Sequence, residues 1–186
     1  MTPILSELIA RANAVSGDVQ STFGPLNARQ INWKPSEDQW SIGQCLDHLL
    51  TTNRPYFPVI EQVVRGEQKN NLWQSMPFFP GFFGKMLIKY VSPESPRKLK
   101  APPKFQPSAS AIDVGITRAF IDAQGKLTEL MGATDRFDLE KIVISSPAIG
   151  LITYSLLDSY RIIVNHEERH TQQAKRVLAS SGFPGA

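Results

Sequence analysis

Cysteine and histidine are both scarce in this chain, which has one cysteine, Cys45, and three histidines. A single cysteine cannot form an internal disulfide, so a disulfide-stapled fold is excluded and a reducing compartment is favoured. No apolar run approaches the roughly 20 residues that a membrane-spanning helix needs. The first residues lack the basic region of a signal peptide and reach Glu7 early. These absences predict a cytoplasmic protein without a membrane partner.

Charge is also modest, with a net value of +3. The basic residues between 96 and 104 form a weak cluster, but no basic stripe runs along a predicted helix, so nucleic-acid binding is not expected. The chain is 41% hydrophobic, which is enough for a core of its own. We therefore expect one domain over residues 1–186.

Apolar residues recur every three or four positions in four stretches, which is typical of amphipathic helices. The predicted helices cover residues 3–23, 41–64, 110–131 and 153–180. Ser41 and Gln44 fit a capping box at the start of the second helix, and Pro55 and Pro58 predict a kink or break between Asn53 and Pro58. No convincing set of strands is visible. The pattern predicts an all-α fold, a four-helix bundle.

Residues 67–108 interrupt this pattern between the second and third helices. They contain seven of the 14 prolines and many aromatic residues, and a short helix is plausible near 81–91. A connection of this length is typical of a lid, an excursion or an interface. The favoured interpretation is simpler: its aromatic side chains cover one end of the core.

The three histidines are the main functional signal. His166 and His170 are four residues apart in the last predicted helix, so they lie on one face. His48 lies in the second helix. Three imidazoles from two neighbouring helices can bind one metal ion and leave a coordination position open, as catalytic zinc sites do.

Glu167 follows His166 and completes the pattern His-Glu-x-x-His, in which the glutamate of zinc proteases acts as general base. No aspartate, glutamate or histidine follows His170, so the third ligand must come from upstream, and His48 is the remaining histidine. Glu167 is a candidate general base. The alternative is that Glu167 and Glu168 are solvated surface charges, paired with Arg169 or Lys175.

Three further residues are candidates for supporting roles. Gln44 and Gln173 could orient a metal ligand or a bound molecule. Cys45, one turn before His48, could be a fourth ligand or a nucleophile, although a small buried thiol is the commoner outcome.

Two segments resemble the DinB-like superfamily. Trp40-Ser41-Ile42-Gly43, followed by His48-Leu49, resembles the motif that opens the second helix in that family. Gly150-Leu151-Ile152-Thr153, followed by His166, His170 and Gln173, resembles its last helix. The resemblance covers nearly the whole chain and is least distinctive over residues 67–108.

This resemblance implies a four-helix bundle of up-down-down-up topology and frequent homodimers. It also implies a divalent metal, zinc or nickel, on three histidines that correspond to His48, His166 and His170. Related proteins include thiol transferases and isomerases that use low-molecular-weight thiols. The expected function is thus metal-dependent thiol transfer or hydrolysis on a small molecule. The alternative is a non-catalytic helical module for binding or stress response, with a structural or vestigial metal site.

Overall fold

The computed structural model describes residues 1–68, 79–93, 103–108, 111–147 and 150–185, without the side chains of residues 79–83. Its helices are α1 (Pro3–Phe23), α2 (Ala28–Asn32), α3 (Ile42–Asn53), α4 (Tyr56–Val64), α5 (Phe79–Val91), α6 (Ile116–Ala133) and α7 (Leu156–Leu178). A short 3-10 turn covers Pro103–Phe105, and two strands, β1 (Val143–Ser145) and β2 (Thr153–Ser155), form an antiparallel pair.

The fold is mostly helical, and four of its helices contact one another in a ring. Helix α1 packs against α6 and α7, and α3 packs against the same two helices. Their buried faces contribute leucine, isoleucine and valine side chains to two core clusters, one with Phe23 and the other with Tyr154 and Tyr160. None of the helices in the described part of the chain is long and apolar enough to cross a membrane.

The first two predicted helices are confirmed in outline. Helix α1 has the predicted bounds, and the second predicted helix is divided into α3 and α4 by Arg54 and Pro55. Pro58 lies in the first turn of α4, where its missing N–H costs no helical hydrogen bond. The short helix expected near 81–91 is α5, which begins two residues earlier.

The third predicted helix begins later than expected, at Ile116 instead of Ser110. Asn32 explains part of the delay, because its side chain accepts from the Ile112 N–H at 2.7 Å and donates to the Ile112 carbonyl at 2.8 Å. A residue whose backbone groups are paired in this way does not enter a helical ladder. Asp113 then accepts from the Gly115 N–H just before the helix begins.

The expectation of no strands was wrong, and it misplaced the start of the last helix. Thr153–Ser155 pairs with Val143–Ser145, so α7 begins at Leu156 and not at Thr153. The Ser155 hydroxyl then caps α7 by accepting from the Asp158 N–H at 3.0 Å.

Gly43 brings the start of α3 close to its neighbours. A Cβ atom at this position would lie 2.8 Å from Ile31 Cγ2 and 2.9 Å from Ile112 Cβ. Both distances are too short for carbon atoms in contact, so only glycine allows α2 and residue 112 to pack here. This close packing sets the position of α3, and α3 carries His48.

Candidate metal centre

Helix α3 places His48 in the interior. The Ser41 hydroxyl accepts from the Gln44 N–H, and the Gln44 side chain accepts from the Ser41 N–H, which forms the predicted capping box. His48 lies almost two turns further along and is only 4% exposed.

Helix α7 brings His166 and His170 to the same place. The two rings are one turn apart on the face of α7 that packs against α3, with centroids 4.5 Å from each other. Each centroid also lies close to that of His48, at 5.0 Å for His166 and 4.6 Å for His170. The structure therefore brings together the three histidines that the sequence singles out.

The spacing of the ring nitrogens fits a metal ion. One ligand atom from each of the three histidines lies within 4.8 Å of the others, and Nε2 of His48 is 3.2 Å from Nε2 of His166. Two nitrogens on a tetrahedral zinc ion, with Zn–N bonds of 2.0–2.1 Å, are about 3.3 Å apart. A metal ion thus fits here with little movement of these two rings.

Hydrogen bonds orient two of the imidazoles. Nδ1 of His48 donates to the Phe105 carbonyl at 2.6 Å, and Nδ1 of His170 donates to Oε1 of Gln173 at 2.9 Å. Both acceptors require a proton on Nδ1, which leaves the Nε2 lone pair free to bind a metal. Metal-bound histidines in proteins commonly donate their second nitrogen in this way.

Burial keeps the histidines neutral. It lowers the pKa of His48, against the opposing effect of the Phe105 carbonyl. Burial, together with the neighbouring His48 imidazole, lowers the pKa of His170 to about 3. The pKa of His166 is lowered well below its usual value by burial and then by the other two imidazoles. All three rings are therefore uncharged at neutral pH, the form that binds metal.

A known protein family matches most of the chain. The family model of the DinB superfamily matches residues 13–174. The chain belongs to the DinB superfamily. No curated protein and no solved structure matches it significantly.

The two glutamines of this DinB-superfamily chain have different positions at the centre. Gln173 contacts a histidine directly, as described above. Gln44 closes the capping box of α3, and its Nε2 donates to the Ser108 carbonyl at 2.9 Å. Gln44 therefore helps to position the segment that contains Phe105, and it affects the metal centre indirectly, through that segment.

Glu167 turns into the protein core. It is fully buried, its Oε1 accepts from Nδ2 of Asn53 at 2.6 Å, and its Oε2 accepts from Nε2 of Gln124 at 2.7 Å. Burial raises the pKa of Glu167 to about 8, although the two amide donors oppose this shift. The alternative of a solvated surface charge is wrong for Glu167. Its neighbour Glu168 is partly exposed and pairs with Arg11.

Cys45 is a buried thiol with no exposed surface. Burial raises its pKa to about 12, so the nucleophilic thiolate is essentially absent at neutral pH. The group of potential ligands in the described ranges comprises the three histidines without Cys45. Cys45 is therefore a small buried thiol, the commoner of the outcomes expected from the sequence.

Three contributors to the centre were not predicted from the sequence. The Trp40 ring stacks on His170, with centroids 5.6 Å apart, and contacts His48 at 4.9 Å. The Phe105 carbonyl accepts from His48, and the Asp47 carboxylate accepts from the Ser108 N–H. Trp40 belongs to the family-like motif around His48 and Asp47 lies at an unspecified position within it, but a backbone carbonyl has no signature in a sequence.

Proposed function

We propose that the protein is a divalent-metal-dependent enzyme that acts on a small molecule by thiol transfer or hydrolysis. One observation carries this proposal: three neutral imidazoles from two helices converge, and hydrogen bonds leave Nε2 free on two of them. Three protein ligands are the number found in catalytic zinc sites, where the next position is open to water or substrate.

The chain supplies three nitrogen donors and no anionic ligand in the described cluster. Imidazole nitrogen suits zinc and nickel, the two metals that we propose. When bound, such an ion would supply Lewis acidity to a water molecule or to the sulfur of a thiol. The protein residues fix the donor geometry: Phe105 and Gln173 orient two rings, and the indole of Trp40 covers one side.

The two reactions require different help from the protein. Hydrolysis needs a base to accept a proton from water, and Glu167 is the proposed base because it follows His166 directly. Thiol transfer needs a low-molecular-weight thiol as cosubstrate and less assistance from a carboxylate. Burial raises the pKa of Glu167 to about 8, so its carboxyl is mostly protonated at pH 7, and the proposed base would act mainly at a pH above this pKa.

We also propose the up-down-down-up bundle topology, which contacts between the helices support. Arg11 pairs with Glu168, and further along both helices Asp18 pairs with Lys175. Paired residues advance together along α1 and α7, which is the pattern of parallel helices.

The remaining pairs support the other two directions. Contacts run in opposite orders along α1 and α6 and along α3 and α7: Met1–Asp135, Ala12–Gln124, His48–His170 and Asn53–Glu167. With α1 and α7 up, α3 and α6 are then both down.

An activity assay tests the proposed reaction. We expect the zinc- or nickel-loaded protein to catalyse either transfer of a small thiol to an aryl halide or hydrolysis of an activated ester, and the metal-free protein to be inactive. The matched control is His170→Ala assayed with the same metal. Equal rates for the loaded protein and this variant in both assays would contradict an enzymatic function.

Metal removal should also lower stability, because an ion that binds the native state alone stabilises it. At a free metal concentration of a hundred times Kd the gain is about 2.7 kcal/mol, or a Tm shift of about 5–10 °C for a chain of this size. Differential scanning calorimetry before and after chelation measures the shift, and added zinc or nickel should reverse it. An unchanged Tm after verified metal removal would contradict metal binding by the folded state.

A further inference from the structure

The end of the connection over residues 67–108, which we call the excursion, is hydrogen-bonded to α3 next to the metal centre. In the segment 103–108, the Ser108 N–H donates to Oδ2 of Asp47 at 2.8 Å, and the Ser108 carbonyl accepts from Gln44 at 2.9 Å. The Phe105 side chain is 3% exposed and anchors the same segment in the core. Two hydrogen bonds and one buried ring therefore determine where its backbone lies.

Segment 103–108 also supplies the hydrogen-bond acceptor for His48. The Phe105 carbonyl is 2.6 Å from Nδ1 of His48, and Asp47 is the residue directly before His48. The Asp47 carboxylate accepts from the Ser108 N–H, and the carbonyl of Phe105, three residues before Ser108, accepts from the His48 imidazole. The four residues thus close a ring of contacts, which fixes the orientation of the imidazole relative to α3.

Geometry also indicates why this orientation matters. Nε2 of His48 lies 3.2 Å from Nε2 of His166, close to the spacing that one metal ion imposes. A rotation of the His48 ring would break this match. His48 also contacts the rings of Trp40, His166 and His170. Of these partners and Phe105, it is the Phe105 carbonyl that determines which nitrogen of His48 carries the proton.

We propose that Asp47 is a positioning residue for the metal centre, and that it acts through Ser108 and the Phe105 carbonyl on His48. The inference rests on the proposed metal-binding function. It assigns part of the excursion to the site: the segment 103–108 is a backbone support for a metal ligand as well as a cover for the core.

A reciprocal effect follows from this arrangement. If the hydrogen-bonded position of segment 103–108 increases metal affinity, metal binding must increase the equilibrium constant for that position by the same factor. The Ser108 amide hydrogen reports on this, because its acceptor is Asp47. Zinc should slow hydrogen exchange at this amide in the wild-type protein.

Zinc affinity, measured by competition with a chromophoric chelator, tests the proposal with three variants. Asp47→Ala removes the acceptor, and we expect Kd for zinc to rise about tenfold, at the lower end of the effect of outer partners of metal ligands. Ser108→Pro removes the donor but keeps the Asp47 charge, and it should weaken zinc to a similar extent. Asp47→Asn keeps an acceptor without the charge and should remain within about twofold of the wild type.

Asp113→Ala is the matched control, because Asp113 also accepts a backbone N–H in an exposed loop, from Gly115 at 2.7 Å. Its zinc Kd should be unchanged, and zinc should protect the Ser108 amide in this control but not in Asp47→Ala.

Two results would overturn the proposal. An Asp47→Ala protein with wild-type zinc affinity would exclude a positioning role, and an Asp47→Asn protein as weak as Asp47→Ala would assign the effect to charge. Tight zinc binding without activity in either assay would instead refute the proposed function and leave this inference intact.

Discussion

Replacing any one of His48, His166 and His170 with alanine should abolish stoichiometric metal binding. Binding free energies of four-ligand structural zinc sites are about 10–16 kcal/mol, so one ligand contributes roughly 3 kcal/mol, or a hundredfold or more in Kd. We expect about one metal ion per wild-type chain and almost none in each variant after dialysis against a weak chelator. Elemental analysis of protein prepared without a histidine tag provides the measurement.

The exposed Gln172→Ala variant is the control for these substitutions, because it alters the same helix without touching the centre. It should keep the full metal content. Because each native histidine is one of only three in the chain, no spare imidazole can replace a lost ligand. Full metal occupancy in His48→Ala would show that the ion is bound elsewhere.

Much of the centre was predictable because its signals are local. The spacing of His166 and His170 places them on one face of any helix, and the capping pair of Ser41 and Gln44 marks where α3 begins. The convergence of His48 with this pair was inferred from the scarcity of histidine and the family resemblance. Periodicity and motif spacing depend on residues that are close together in the sequence, so they can be recognised before the structure is known.

The errors concern interactions between distant parts of the chain. The strand pair depends on residues 143–145 meeting residues 153–155, and three residues are too few for a periodic signal. The late start of α6 depends on Asn32, which is 80 residues from Ile112 in sequence. The Phe105 carbonyl is likewise brought to His48 by tertiary structure alone.

Glu167 combines a local signal with an environment that only the fold provides. Its carboxylate joins Asn53 of α3 and Gln124 of α6, and Gln124 also donates to the Ala12 carbonyl of α1 at 3.2 Å. We call these groups the Glu167 cluster. The cluster connects α1, α3, α6 and α7 through one buried carboxyl group, so Glu167 has a structural role in addition to the proposed role as base.

The raised pKa of Glu167 predicts a pH-dependent effect of Glu167→Gln. Because burial raises this pKa from 4.5 to about 8, the unfolded chain releases the proton at a lower pH than the native state, and the wild-type protein loses stability as pH rises through this range. Glutamine resembles the protonated carboxyl and cannot ionise, so the variant should lack this loss and should be the more stable protein at about pH 8. Urea unfolding of both metal-free proteins at about pH 5 and about pH 8 measures the difference. An equal change of stability with pH in both proteins would contradict the cluster as described.

Turnover separates the structural role of Glu167 from its catalytic role. In Glu167→Gln the proposed base beside His166 is lost. If the reaction is hydrolysis, turnover of the metal-loaded variant should fall about 100- to 10,000-fold below that of the wild type, whereas thiol transfer should change far less. Gln124→Ala is the matched control, because it removes one partner of the carboxyl and keeps the carboxyl itself. Full hydrolytic turnover in Glu167→Gln, with wild-type metal content, would remove Glu167 from the mechanism and leave it the structural role alone.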